Sequence, residues 1–196
     1  MFVVSDEPYE KLVYDGFRQR SLAEIPGLED YVLTINSFSK TYAMTGFRVG
    51  YICANENIAS NLIKLHKNMV ASVPEPMQLA AVEAIHHGGD DVSEMVKYYD
   101  RNRRLIVNGL NRINGFSCVM PKGAFYVFPS IAALGMSSVD AAEYILEKTH
   151  VVTSPGSAFG PDGGGYIRIC YASKYEDIFE ALRRMESAFG IKLTKN

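Results

Sequence analysis

The stretch SFSKTYAMTGFRVG, residues 37–50, decides the fold together with the apolar run YVLTI, residues 31–35, that leads into it. Continuous apolar runs of this kind are typical of strands buried on both faces of a parallel sheet. Polar residues begin abruptly at Asn36 and include Ser37 and Lys40. In open α/β sheets, ligands bind at the carboxyl ends of the strands. The stretch therefore predicts a strand that carries a hydroxyl and an amine to a ligand-binding edge.

A second strand of the same kind lies at the start of the chain. Residues 2–4, FVV, are apolar and run into the polar cluster SDEPY, residues 5–9, so a carboxylate and a phenol are expected at the same edge. Residues 48–54 predict a third strand. Taken alone, a lysine that follows a strand is usually a solvated surface residue, and an aspartate there is usually a turn or cap residue.

The longer sequence motifs change this interpretation. SFSKTYAMTGFRVG resembles the lysine motif of class I aminotransferases, members of the aspartate aminotransferase fold type (fold type I) of pyridoxal 5′-phosphate (PLP) enzymes. SDEPYEKLVYDG, residues 5–16, is similar to the Asp-x-x-Tyr segment of that family. PKGAFYVFP, residues 121–129, and PGSAFG with GYIRICYA, within residues 155–172, resemble its small-domain motifs. The ordered motifs cover almost the whole chain, which resembles the carboxy-terminal half of such an enzyme.

The resemblance implies a PLP site in which Lys40 is both the covalent anchor and the catalytic residue. Asp6 would pair with the protonated pyridine nitrogen of the cofactor, and Tyr9 would hydrogen-bond its phenolic oxygen. Ser37 and Arg48 would bind the phosphate, for which a planar and permanently charged guanidinium is well suited. Lys40, once displaced by substrate, would move the proton at the substrate α-carbon.

The resemblance also implies a substrate-binding residue and a reaction. Arg168 would hold the substrate α-carboxylate through two parallel hydrogen bonds, although by itself it is typical of an edge-strand arginine on a solvent face. The implied reaction is transamination between an amino acid and a 2-oxo acid, in a cytoplasmic enzyme that is a homodimer at full length. Residues 68–72 lack the side-chain-binding arginine of animal-type aspartate enzymes. A residue outside this chain could still bind a side-chain carboxylate. Aspartate, aromatic and alanine-type donors therefore all remain open.

The expected fold class is α/β with two parts. Residues 1–89 are expected to hold the carboxy-terminal part of the large PLP-binding domain, a remnant of its parallel sheet. Residues 90–196 are expected to form a small α+β domain that begins with a long interdomain helix. Apolar periodicity predicts helices over residues 57–69, 77–85, 91–113, 139–149 and 175–189, and a hairpin of strands over residues 116–120 and 124–128.

Family members are roughly twice as long as this chain, so the resemblance implies that several cofactor contacts lie outside it. We expect the 196-residue chain to be inactive, or nearly so, by itself. Three other functions stay open. A carbon–sulfur lyase or a cyclase would use the same anchor motifs, because those motifs serve the cofactor and not the outcome of the reaction. A sensor domain of a transcription regulator would need a DNA-binding segment upstream, and a structural fragment would bind nothing.

Composition argues against several other classes of protein. The formal net charge of −2 gives no field that attracts nucleic acid or an anionic membrane. Arg101, Arg103 and Arg104 lie among acidic residues and predict a solvated helix face. No run of about 18 apolar residues indicates a membrane span, and the four histidines lack metal-ligand spacing, so no metal is expected. The three cysteines are odd in number and have apolar neighbours, which predicts buried, reduced thiols in the cytoplasm.

Overall fold

The computed structural model describes residues 1–192. By its contacts the chain divides into two compact units, Met1–Val96 and Lys97–Asn196, called unit 1 and unit 2 below. Each unit contains a three-stranded sheet. No helix within the described residues is both long and apolar enough to cross a membrane. Those residues also contain no group of three or more His, Cys, Asp and Glu side chains placed to hold a metal ion.

The sheet of unit 1 has the order β1-β2-β3, formed by Val3–Asp6, Val32–Ser37 and Gly50–Cys53. β1 and β2 are parallel, whereas β3 runs antiparallel to β2. A parallel neighbour needs a long crossover, usually through a helix. The connection after β2 contains only the short helix α1, Phe38–Thr41, and one 3₁₀ turn. The chain therefore returns directly along β2, and only the first strand pair has the expected parallel direction.

Three longer helices begin in unit 1: α2, Glu56–Val70; α3, Glu75–His87; and α4, Gly89–Arg112, which continues into unit 2. The side chain of Asn55 caps α2 by accepting a hydrogen bond from the backbone N–H of Ile58 at 3.0 Å. A proline in the first turn of α3 suits that position, where a missing N–H leaves no helical bond unmade. These helices fall where the apolar periodicity predicts them.

Unit 1 buries little apolar surface. One buried cluster consists of Phe38, Met44, Val49 and Ala81, and Leu12, Tyr14 and Val32 are also buried. No residue of α2 is buried, and the side chains of Ile63 and Met69 are 67% and 70% exposed. A groove of about 730 Å³ lies between α2 and the strands β2 and β3. The apolar residues that precede and enter β1 are exposed as well. Patches of this kind commonly mark interaction surfaces or ligand-binding grooves.

Unit 2 has a closed core instead. Its antiparallel sheet, of order β4-β6-β5, is formed by Tyr126–Val127, Ile167–Cys170 and Ser154–Pro155. Helices α5, Ser138–Thr149, and α6, Tyr175–Phe189, complete the unit with the second part of α4. Its fully buried apolar side chains include Leu110, Ile113, Ile131, Ile145, Ile167 and Tyr171.

The predicted hairpin around Pro121 is wrong. β4 pairs with β6, and residues 116–120 contribute only an isolated bridge between Ser117 and Ser130. The side chain of Asn111 explains the difference. Its amide accepts a hydrogen bond from the backbone N–H of Cys118 and donates one to the same residue's carbonyl, both at 2.8 Å. An amide from α4 thus takes the place of a neighbouring strand.

Arg103 also departs from the prediction of a solvated helix face. Its side chain is fully buried. The guanidinium donates to the carboxylate of Asp100 at 2.7 Å and to the carbonyl of Pro121 at 2.6 Å. A buried charge is tolerated only when it is paired and hydrogen-bonded, and both conditions are met here. Arg103 therefore fixes the loop at Pro121 to helix α4.

The three cysteines are free thiols, but only Cys118 is buried, whereas Cys53 and Cys170 are exposed. The prediction of three buried thiols is thus wrong for two of them. Burial raises the pKa of the Cys118 thiol to about 11, because the thiolate loses its hydration.

We expect a thiol reagent at about pH 8 to modify Cys53 and Cys170 quickly and Cys118 slowly. With a pKa near 11, only roughly one thousandth of the Cys118 thiol is ionised at that pH, and the thiolate is the nucleophile. Raising the pH towards 11 should speed its reaction, since more thiolate forms. Timed alkylation and peptide mapping would measure this. Equal labelling rates for the three cysteines at neutral pH would contradict the burial of Cys118.

Candidate active site

Strand register brings three of the predicted site segments to one edge of the unit 1 sheet. Asp6, the last residue of β1, pairs with Ile35, and Ser37, the last residue of β2, pairs with Gly50 at the start of β3. Because β1 and β2 are parallel, their carboxyl ends meet at this edge. β3 is antiparallel and therefore begins there. The edge carries a carboxylate, a hydroxyl and the loop that ends in Arg48.

Ser37 links this edge to the helix that carries Lys40. Its Oγ caps α1 by accepting a hydrogen bond from the backbone N–H of Ser39 at 3.1 Å. The same hydroxyl donates to the carbonyl of Val49 at 3.4 Å. Lys40 is half-buried and lies in the last turn of α1, where a cation interacts favourably with the helix carboxyl end. The hydroxyl thus orients the amine-bearing turn relative to β3.

Arg48 adopts an unusual backbone conformation. Its φ of 55° lies in the left-handed region, and so does the φ of 53° at Ala43. Left-handed conformations of residues other than glycine cost on the order of 1–3 kcal/mol and cluster at ligand-binding sites. The exposed guanidinium donates one hydrogen bond, from Nη1 to the carbonyl of Thr45 at 3.0 Å. Its remaining donors suit a phosphate.

Gly50 permits β3 to lie close to β2. A Cβ atom at this position would stand 2.8 Å from the carbonyl oxygen of Asn36, well inside normal contact distance. Asn36 is itself buried, and its side-chain oxygen accepts a hydrogen bond from the backbone N–H of Ser37 at 2.7 Å. The sequence pattern does not indicate this role for either residue, although Gly50 closes the quoted motif.

Tyr9 lies in the turn that follows β1 and is half-buried. The neighbouring carboxylate of Glu7 is buried and fixes this segment. It accepts hydrogen bonds from Ser5 at 2.7 Å, from Ser21 at 2.9 Å and from Gln19 at 3.3 Å. Glu7 therefore ties the segment that contains Asp6 and Tyr9 to the loop that leads to β2. Sequence reasoning missed it, because a glutamate in a polar cluster gives no sign of burial.

Arg168 lies in β6 of unit 2. The flanking residues Ile167 and Ile169 are buried, whereas Arg168 points to the other face of the strand and is half-buried. Its guanidinium carbon lies 4.6 Å from the centre of the Tyr126 ring and 4.3 Å from that of Phe159. Both rings belong to the quoted motifs PKGAFYVFP and PGSAFG, but the sequence alone did not indicate that they contact Arg168.

Comparisons with known proteins all identify the same protein family. The model of the family "Aminotransferase class I and II" matches residues 1–185. The chain belongs to this family.

Named relatives support the assignment. The chain is 44% identical over 186 residues to the putative aminotransferase YugH of Bacillus subtilis, covering 95% of this chain and 48% of the relative. It is 40% identical over 190 residues to an aspartate aminotransferase of Pyrococcus horikoshii, covering 96% and 48%. The crystal structure of an aromatic aminotransferase from the same organism matches with a TM-score of 0.92 and 41% identity, over 96% of this chain and 50% of that one.

These matches confirm the expected α/β class, as part of a fold type I PLP transferase. The chain spans about half the length of the relatives it matches. PLP is the cofactor of this aminotransferase family. The donor set at the unit 1 edge fits that group: an amine for an aldehyde, an arginine and a hydroxyl for a phosphate, and a carboxylate for a protonated ring nitrogen.

We expect Gly50→Ala to destabilise unit 1 by about 1–3 kcal/mol, the usual effect of overpacking, because the new methyl group meets the Asn36 carbonyl. Urea unfolding followed by circular dichroism would measure the change. Gly46→Ala is the matched control, since a Cβ there meets no atom within 4 Å. Equal stabilities of the two variants would contradict the close approach of β3 to β2.

Proposed function

We propose that this aminotransferase-family chain takes part in PLP-dependent transamination between an amino acid and a 2-oxo acid. The observation that carries the proposal is the register of unit 1. Asp6 at the end of β1 and Ser37 at the end of β2 share an edge with the start of β3, and Lys40 and Arg48 flank that edge in sequence. The family match supports the same reaction.

In the proposed site, four side chains would hold the cofactor besides its covalent anchor, Lys40. The Arg48 guanidinium and the Ser37 hydroxyl would bind the phosphate, where a charged planar donor is most effective. The Asp6 carboxylate would accept a hydrogen bond from the pyridine nitrogen and favour its protonated form. Tyr9 would donate to the phenolic oxygen of the ring. The buried Glu7 network keeps the segment of Asp6 and Tyr9 in place.

Lys40 supplies the acid–base step. When bound, PLP acts as an electron sink for the negative charge that develops at the substrate α-carbon. The Lys40 amine would hold the cofactor covalently and, once freed by the substrate amine, would accept the proton from the α-carbon and pass it on as an acid to a different atom. Its place in a one-turn helix capped by Ser37 limits the directions in which the amine can move.

Arg168 is proposed to bind the substrate α-carboxylate. Within residues 1–192 its guanidinium contacts aromatic rings and makes no side-chain hydrogen bond or ion pair. Its N–H donors therefore remain available for an anion. A two-pronged contact to a carboxylate uses two of them and leaves the substrate side chain unspecified, so aspartate, aromatic and alanine-type donors all fit this proposal.

We further propose that residues 1–89 are the carboxy-terminal part of a large PLP-binding domain and that residues 90–196 form its small domain. The working enzyme would be a cytoplasmic homodimer with protein surface beyond these residues, and the chain by itself would be inactive. The exposed apolar surface of α2 and the length of the relatives favour this arrangement. The free thiols are consistent with a reducing compartment.

The anchor role of Lys40 predicts a specific covalent label. After incubation with PLP and reduction with borohydride, peptide mapping of the chain, or of a longer protein that contains it, should place the pyridoxyl group on Lys40. Lys40→Ala should abolish both the label and the yellow absorbance of bound cofactor. Lys64→Ala, which changes an exposed lysine of α2, is the control and should retain both. A label on Lys64, Lys67 or Lys122 would contradict the assignment of Lys40 as the cofactor anchor.

Substitutions of Arg168 and Arg48 should have different effects in the active holoenzyme. Arg168→Lys keeps the charge but loses the paired hydrogen bonds, so kcat/KM should fall by roughly ten- to a hundred-fold for every amino acid and 2-oxo acid, with the cofactor still bound. Arg48→Ala should instead weaken PLP binding first. Steady-state kinetics and cofactor absorbance would separate the two effects. Loss of PLP from Arg168→Lys with unchanged substrate affinity would show that the two roles are misassigned.

A further inference from the structure

The setting of Arg168 is unusual for a strand arginine. Its guanidinium carbon lies over the rings of Tyr126 and Phe159, at 4.6 Å and 4.3 Å from their centres. Both distances are within the range of cation–π attraction. Tyr126 and Phe159 belong to separate segments of unit 2, a strand and a 3₁₀ turn, and both place a ring against the guanidinium.

The two rings are held differently. Tyr126 belongs to β4, which pairs with β6, and it lies opposite Cys170, two residues from Arg168. Phe159 lies at the end of a 3₁₀ turn and contacts Phe128, whose ring stacks on Tyr166 at 5.1 Å with an interplanar angle of 8°. A backbone ladder thus fixes one ring, and an aromatic stack fixes the other.

Burial does not explain this aromatic group. The side chains of Phe159, Phe128 and Tyr166 are 50%, 41% and 38% exposed, whereas the core of unit 2 lies on the opposite face of β6, with Ile167 and Ile169. Clustered exposed aromatic residues commonly belong to binding surfaces. One of them, Phe159, lies against the Arg168 guanidinium, whose hydrogen-bond donors have no protein acceptor within residues 1–192.

We propose that Tyr126 and Phe159 are positioning residues that hold the guanidinium of Arg168 by its faces and leave its N–H edge open to a planar carboxylate. The proposal rests on the carboxylate-binding role of Arg168 in the proposed function and adds the residues that prepare it for binding. An arginine already fixed in one conformation loses less side-chain entropy when a ligand binds. The rings attract the cation and leave its N–H donors unoccupied. A neighbouring carboxylate would attract it too, but would accept hydrogen bonds from those donors.

The order of the Arg168 side chain in the ligand-free chain is the first measurement. In the full chain with ¹⁵N-labelled arginine, the Nε–Hε signal of Arg168 is identified by its loss in Arg168→Lys. We expect its order parameter to exceed about 0.6, and that of the exposed Arg20 to fall below that value. The double variant Tyr126→Leu/Phe159→Leu should lower the order of Arg168 to that of Arg20, and Phe159→Leu alone should lower it part of the way.

Titration with pyruvate is the second measurement. Pyruvate should shift the Arg168 signal, and methyl pyruvate, which lacks the carboxylate, should not. The double variant should bind pyruvate about five- to thirtyfold more weakly, because each ring contributes a cation–π contact. Tyr126→Phe keeps the ring and should match the parent. Phe179→Leu is the matched control, since Phe179 is also exposed, at 56%, and belongs to α6, not to the pair of rings over Arg168.

Each result decides one part of the proposal. If order and pyruvate affinity in the double variant equal those of the parent, the rings do not position Arg168, and the proposed function still stands. If the order parameter of Arg168 falls in the double variant but its affinity for pyruvate does not, restricting the guanidinium does not help binding. The positioning role is then overturned. If pyruvate never shifts the Arg168 signal in the parent, the carboxylate role itself fails, and the proposed function loses its substrate residue.

Discussion

The close contact between β2 and β3 at Gly50 is the constraint on which the unit 1 site depends. Without a side chain at Gly50, the backbone of β3 reaches the carbonyl of Asn36 and pairs with Ser37. This pairing brings the loop of Arg48 back to the end of β2, where the Ser37 hydroxyl bonds both to Ser39 and to Val49. The segments that carry Ser37 and Arg48 thereby meet at the end of β2, and the ladder beside Arg48 maintains its left-handed backbone.

A different constraint applies in unit 2, where adjacent residues of strand β6 point to opposite faces of the sheet. Ile167 and Ile169 point into a closed core, and Arg168 and Cys170 point away from it. The core fixes the backbone of β6, and the backbone then fixes the base of a long, flexible side chain. Further restriction comes from contacts at the tip, which the aromatic rings provide. The inward direction of the isoleucines and the outward direction of the arginine are thus two results of one period-two pattern.

The sequence predicted those features that local pattern determines. Strands β1 and β2 follow from apolar runs, α2 to α6 from helical periodicity, and the shared edge of Asp6 and Ser37 from the rule for strand ends. It did not predict features that depend on long-range partners. The hairpin failed because Asn111 replaces a strand at Cys118, and Arg103 was misread because its acceptor at Pro121 is remote in sequence. Similarly, the contacts of Tyr126 and Phe159 with Arg168 arise from sheet pairing that periodicity does not specify.

The two units differ in how far they depend on something outside these residues. Unit 2 closes its own core, with Leu110, Ile113 and Ile145 fully buried, so its packing alone supports the position of Arg168. Unit 1 has fewer buried apolar residues than unit 2 and a long helix, α2, with no buried residue, although it carries all the candidate cofactor groups. Whatever binds only the folded form of unit 1 therefore adds directly to its stability, by RT ln(1 + [L]/Kd). On the proposed function, cofactor and additional protein surface both act in this way. The unit that holds the chemistry would then be the unit whose folding is most tightly coupled to its ligands.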